Sequence, residues 1–140
     1  MKETRWDGPG STITLTSGSV MPPRWALLLI DRVLTRERPL SAWINLRWTN
    51  SRRGGHGVCY GPRHIAVHPQ PGDDDRTRYI VIHELAHACN GHRDRHGPGF
   101  YDALVRIAKA EGSLRLVQRE HVKSHAKAPL TRAIARARAS

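Results

Sequence analysis

The chain has 140 residues, with 23 Lys or Arg against 12 Asp or Glu and a formal net charge of +11. Hydrophobic residues make up 39% and charged residues 25%, which fits one soluble globular domain with a real core and excludes a disordered chain. The longest apolar run, WALLLI at 25–30, is far too short to span a bilayer, and two cysteines exclude a disulfide framework or a four-cysteine zinc ribbon.

The opening MKETRWDGPGST has no apolar stretch of a secretory signal, so a cytoplasmic address is expected, with Cys59 and Cys89 as free thiols. Residues 1–20 read as a flexible lead-in in which TITLT, 12–16, is a candidate edge strand. PPRWALLLIDRVLTRER, 22–38, predicts a helix: Pro22 and Pro23 suit its start, Pro39 forbids continuation, and Leu27, Ile30 and Leu34 form a core-facing stripe. In SAWINLRW, 41–48, the period changes to two. Ala42, Ile44, Leu46 and Trp48 alternate with Trp43, Asn45 and Arg47, as in a half-buried strand.

SRRGG is a loop, and GVCYGPRHIAVHP reads as two short strands around a Gly61-Pro62 turn, predicting a small antiparallel sheet. Asp73, Asp74 and Asp75 offer capping oxygens and favourable charge to a helix from about Arg76 to Asn90, which Gly91 ends. A further helix begins at Pro98, carries Phe100, Leu104 and Ile107 on one face and stops at Gly112. The expected fold is α+β: a small antiparallel sheet beside an N-terminal helix, the Asp-capped helix and the one after it. Its domain covers 21–112, followed by a basic, partly helical tail over 113–140. Trp25, Trp43 and Trp48 are expected in the core.

HELAHACNGHRDRHGPGF, 83–100, holds the chemistry. Four residues advance a helix about 6 Å and return to nearly the same azimuth, so His83 and His87 leave one face as two metal ligands. Glu84, about 100° round, reaches a water at such a metal and suits a general base. The helix is otherwise apolar, with Val81, Ile82, Leu85, Ala86, Ala88 and Cys89, and ionisable groups in such a setting require compensation that a cation supplies. A hydrolytic zinc needs a third protein ligand and an open position. His92 follows Gly91 at once and would have to turn straight back. His96 has room to loop and return, anchored by Gly97-Pro98, so it is the favoured ligand. A carboxylate from the next helix, Asp102 or Glu111, is the remaining alternative. The metzincin spacing fails, because Asn90 and Arg93 stand where a glycine and a histidine are required. Among other groups, His64 and His68 share a strand face, and Cys59 is a weaker candidate for a fourth ligand.

With these residues placed, the segment resembles the SprT-like zinc metallopeptidases, a family that includes a eukaryotic protease of DNA–protein crosslinks. HELAH at 83–87, HGPGF at 96–100 and the upstream WTNSRRGGHGVCYGPRHIAVHP carry the resemblance, which spans roughly 22–112. Gly99 departs from it, the family often having Glu there. The resemblance implies a zincin-like core, one catalytic Zn2+ on His83, His87 and His96, and Glu84 as catalytic base. It implies a zinc metalloendopeptidase acting on protein or peptide substrates, including DNA-associated proteins.

In the tail, Arg115, Arg119, Lys123 and Lys127 recur every four residues, with Glu120 the single acid. On one helix they form a cationic stripe suited to non-specific contact with DNA phosphates. Aromatic anchors for a membrane are missing, and Pro129 is expected to break the helix. The bland alternative is a solvated tail. Two rivals to a DNA-linked peptidase stand: a regulatory metallopeptidase cutting one protein partner, and a DNA-binding module with structural zinc.

Overall fold

Alternation in TITLT, WINLRW and HIAV turns one side of each segment into the core. Ile13 and Leu15 of β2 (Thr12–Leu15), Ile44 and Leu46 of β3 (Trp43–Trp48), and Ile65 and Val67 of β5 (His64–Val67) are all fully buried. The structure, a computed structural model, describes residues 3–38, 40–50 and 57–140. Pro39, the SRRGG stretch and His56 lie outside the described residues.

With β1 (Thr4–Asp7) and β4 (Gly57–Gly61), these strands form a five-stranded sheet in the order β1-β2-β3-β5-β4. The outer pairs are antiparallel, but β2–β3 and β3–β5 run parallel. The sheet is therefore mixed, not antiparallel as expected. Helix α1 (Arg24–Glu37) carries the chain from the end of β2 back to the start of β3, and a return across a helix makes neighbours parallel. The hairpin at Gly61-Pro62 does form, with its second arm inserted against β3 and its first left at the edge.

TITLT is an inner strand rather than an edge, because β1 pairs outside it in the register Arg5↔Thr14. The segment expected as a flexible lead-in thus supplies two strands. A buried carboxylate ties it down: Asp31 Oδ1 on α1 accepts from Ser11 Oγ at 2.6 Å and from the Gly10 N–H at 3.1 Å. Of the tryptophans, Trp48 is buried and Trp25 packs against the core. Trp43 is 42% exposed, on the opposite face from Ile44, under the Arg63 guanidinium at 4.4 Å. Alternation alone decides that correction.

Helix α2 (Asp74–Cys89) starts where Asp73 Oδ1 accepts from the Arg76 N–H at 2.9 Å. It lies on β4 and β5, touches α1, and is covered by α3 (Pro98–Ala110) and α4 (Leu114–His121). A helix enclosed on so many sides has to be apolar nearly all round, as its sequence is. Helix α5 (Ala128–Ala139) packs on α3, and Pro129 sits in its first turn, where it starts the helix instead of breaking one. Val117, Leu130, Ala133 and Ile134 join the same core as Ile13, so 113–140 is packed rather than a solvated tail. The fold is α+β. No described helix is long and apolar enough to cross a membrane.

Candidate metal centre

α2 delivers His83, Glu84 and His87 in one turn. His83 is 7% exposed and Glu84 6%, at the floor of a cavity of about 580 Å³ between α2, β4 and the loop after α2. His96 comes back to them from that loop. Its Nε2 lies 3.2 Å from His83 Nε2 and 3.2 Å from His87 Nε2. Ring nitrogens held about 2.0–2.1 Å from a tetrahedral zinc are about 3.3 Å apart, so this spacing suits that ion.

The loop that returns His96 is built with effort. Gly91 has φ of +70°, and three non-glycine residues follow in the left-handed region: His92 at 58°, Asp94 at 40° and Arg95 at 46°. Each such residue is unfavourable by roughly 1–3 kcal/mol and persists only where its surroundings enforce it. Asp94 does the enforcing. Its carboxylate accepts from the Gly99 N–H at 2.9 Å, the Phe100 N–H at 3.3 Å and Asn90 Nδ2 at 2.8 Å. It thereby caps α3 and fixes the loop against the end of α2. A Cβ on Gly99 would stand 2.8 Å from Asn90 Oδ1 and 3.0 Å from Asp94 Oδ2, so any larger residue here would have to displace the side chains that fix the loop.

Phe100, fully buried, orders the three imidazoles from below. It stacks on His87 at 4.1 Å between centroids and meets His83 and His96 edge-on at 5.0 and 4.9 Å.

The electrostatics favour neutral ligands. Burial, and then the neighbouring imidazoles, hold His83 well below the ordinary histidine value. Burial followed by His96 brings His87 down to about 4, and His96 is lowered by burial and then by His125. Burial pushes the Glu84 carboxyl up to about 8. Uncharged imidazoles are the form that binds metal.

Of the other expected candidates, His92 and Cys59 line the cavity and the rest fall elsewhere. His92 is exposed, and its N–H closes the helix end on the His87 carbonyl at 2.9 Å. Asp102 pairs with Arg136 at 2.8 Å, and Glu111 with Arg32 and Arg36 at 2.7 and 2.9 Å, away from the cavity. His64 packs against the Tyr60 ring, and His68 Nδ1 lies 3.0 Å from Thr49 Oγ1. Cys59 lines the cavity, its Sγ 3.1 Å from the Gly61 carbonyl and its thiol pushed up to about 11 by burial. Both cysteines are free.

Two more imidazoles enter the site from a stretch read as tail. His125, half-buried in the turn after α4, has its ring 4.8 Å from His96 and 5.4 Å from His83. One of its nitrogens lies within 4.8 Å of ligand atoms on both. His121, the last residue of α4, is fully buried behind His83. Their four-residue spacing, which matches that of His83 and His87, was the only local signal for them.

The four tail cations do not form one stripe. α4 ends at His121, so Lys123 lies beyond it and Lys127 caps α5. Arg119 and Lys123 are tied to the buried Glu120 at 3.1 and 2.8 Å, while Arg115 and Lys127 are exposed. No protein-family model, curated protein or solved structure matches this chain.

Proposed function

We propose that this protein is a zinc-dependent metalloendopeptidase of the SprT-like type, with a zincin-like core, acting on proteins in the cytoplasm. The observation that carries the reading is the pair of 3.2 Å contacts that His96 Nε2 makes with His83 Nε2 and His87 Nε2, with Glu84 beside them in an open cavity. His83, His87 and His96 would hold one zinc ion. When bound, zinc supplies Lewis acidity that polarises a peptide carbonyl and lowers the pKa of water. A cation on the histidines would favour the ionised form of the buried Glu84 carboxyl, which would then take a proton from the attacking water and pass it to the leaving amine nitrogen. β4, which lines the same cavity and is an edge strand among the described residues, is the place where an extended peptide would add to the sheet.

A structural zinc in a DNA-binding module is closed off by four protein ligands, whereas His83, His87 and His96 here open onto a cavity of about 580 Å³. The net charge of +11 supports encounter with DNA and hence DNA-associated substrates, through phosphate contacts that read no sequence. Digestion of β-casein by the zinc-loaded wild type and by Glu84→Gln, each with and without single-stranded DNA, tests the proposal. Cleavage by wild type alone supports a peptidase; its stimulation by DNA supports the DNA-linked substrate class over a single-partner regulator. Equal cleavage by both proteins removes Glu84 from its role.

A further inference from the structure

Behind the ligand His83 runs a buried chain of side chains from three helices. Tyr79, one turn before His83 on α2, places its hydroxyl 3.1 Å from His83 Nδ1. The same hydroxyl lies 2.6 Å from His121 Nδ1, at the end of α4. His121 Nε2 then lies 2.9 Å from the Tyr101 hydroxyl on α3. Tyr79 and Tyr101 are each 3% exposed and His121 is fully buried, so water does not compete for these contacts. Arg76 fixes the assembly, donating to the Glu120 carbonyl at 2.9 Å and lying 5.0 Å from the centre of the Tyr79 ring.

Each of the three contacts takes one hydrogen, and each neutral imidazole or phenol has one to give. The buried Tyr79 hydroxyl must also place its own hydrogen in one of its two contacts, which leaves the chain two consistent polarities. In the first, His83 carries its hydrogen on Nδ1 and donates to Tyr79, Tyr79 donates to His121 Nδ1, and His121 donates from Nε2 to Tyr101. His83 Nε2 is then a bare lone pair, directed at His96 Nε2. In the second, every donor is reversed: Tyr101 donates to His121, His121 to Tyr79, and Tyr79 to His83 Nδ1. That leaves the hydrogen on His83 Nε2, where it blocks a cation.

We infer that Tyr79, His121 and Tyr101 are positioning residues for the metal centre, locking His83 in the tautomer that offers Nε2 to the ion. The chain orients the ring, and through Tyr79 it raises the basicity of the ligating nitrogen. It also assigns a role to α4: the helix that composition marks as a nucleic-acid tail completes the support of a metal ligand. The inference rests on the reading of His83 as a zinc ligand, not on peptidase activity.

The test uses the full chain, with nitrogen-15 in its histidines. In the zinc-loaded protein at neutral pH, the His121 ring shifts are expected to report the neutral tautomer with hydrogen on Nε2. A tautomer with hydrogen on Nδ1, or an imidazolium, overturns the inference. In competition titrations, Tyr79→Phe and His121→Leu are expected to weaken zinc binding about 10–100-fold. His121→Gln, whose amide oxygen accepts and whose amide nitrogen donates, is expected to recover part of that loss. If Leu and Gln at 121 bind zinc as tightly as wild type, the chain does not position His83. A wild type that binds no zinc ends both this inference and the metal centre. A wild type that binds zinc but cuts no protein ends only the peptidase reading, and the tautomer result still decides this one.

Discussion

Gly57 and Glu84 are packed so closely that a Cβ added at 57 would stand 2.9 Å from Glu84 Oε2, and equally close to Ile80 Cγ2. The first residue of the edge strand thus forms the wall against which the proposed proton carrier rests. Gly57→Ala is expected to push the carboxylate aside and lower kcat by about 10²-fold, with zinc content unchanged. Unaltered turnover would show that Glu84 needs no such wall. A loss of zinc would mean that the substitution disturbs the ligands instead.

Glu84→Gln keeps the size of the side chain and removes its capacity to take a proton. It is expected to retain one zinc per chain and lose about 10²–10⁴-fold in hydrolysis. Metal analysis after dialysis and a peptide-release assay on the same sample check both halves.

The ligand assignment separates histidines that the sequence leaves in competition. His83→Ala, His87→Ala and His96→Ala are each expected to lose zinc on dialysis, and His92→Ala to keep it. His125→Ala is also expected to keep it, since the 3.2 Å nitrogen contacts join His96 to His83 and His87, whereas His125 is placed within 4.8 Å of ligand atoms on His83 and His96. Zinc retained by His96→Ala but lost by His92→Ala would reverse the choice between them.

Glu111 gives a pH-dependent prediction away from the metal. Burial raises its carboxyl, but hydrogen bonds from Arg32 and Arg36 outweigh this, and the net shift is below the ordinary glutamate value. A carboxylate with a depressed folded pKa adds stability that is present above its unfolded value near 4.5 and lost as pH falls through the folded one. Glu111→Gln is expected to destabilise the protein by about 1–2 kcal/mol at pH 7, the exposed arginine ends limiting the effect. Urea melts of both proteins should converge below pH 4.5. A constant difference across that range would refute the linkage.

Binding to single-stranded DNA should weaken steeply with salt if phosphates are the partner. Arg115→Ala and Lys127→Ala are each expected to reduce the salt slope by about one while leaving stability unchanged. Arg119→Ala and Lys123→Ala are expected to act on stability, because each leaves the buried Glu120 with one partner fewer. Equal effects of all four on DNA affinity would restore a continuous stripe.

The sequence by itself determined every feature whose cause is local. Spacing of four put His83 and His87 on one helical face, aspartates started α2, and alternation marked β3 and the β4–β5 hairpin. His96 was legible as the third imidazole because a Gly-Pro pair and a helix start fix where its loop must end. Tertiary structure decided everything that depends on partners distant in the chain. Strand order and direction hang on which strand inserts beside β3, and alternation is blind to direction. Asp94 and Phe100 matter through groups that converge only once the loop is folded. The sharpest case is His121, polar by composition and set in a basic stretch, yet fully buried between two tyrosines. Composition counts charge along the chain, whereas burial follows from what packs across it, and α4 packs on α2.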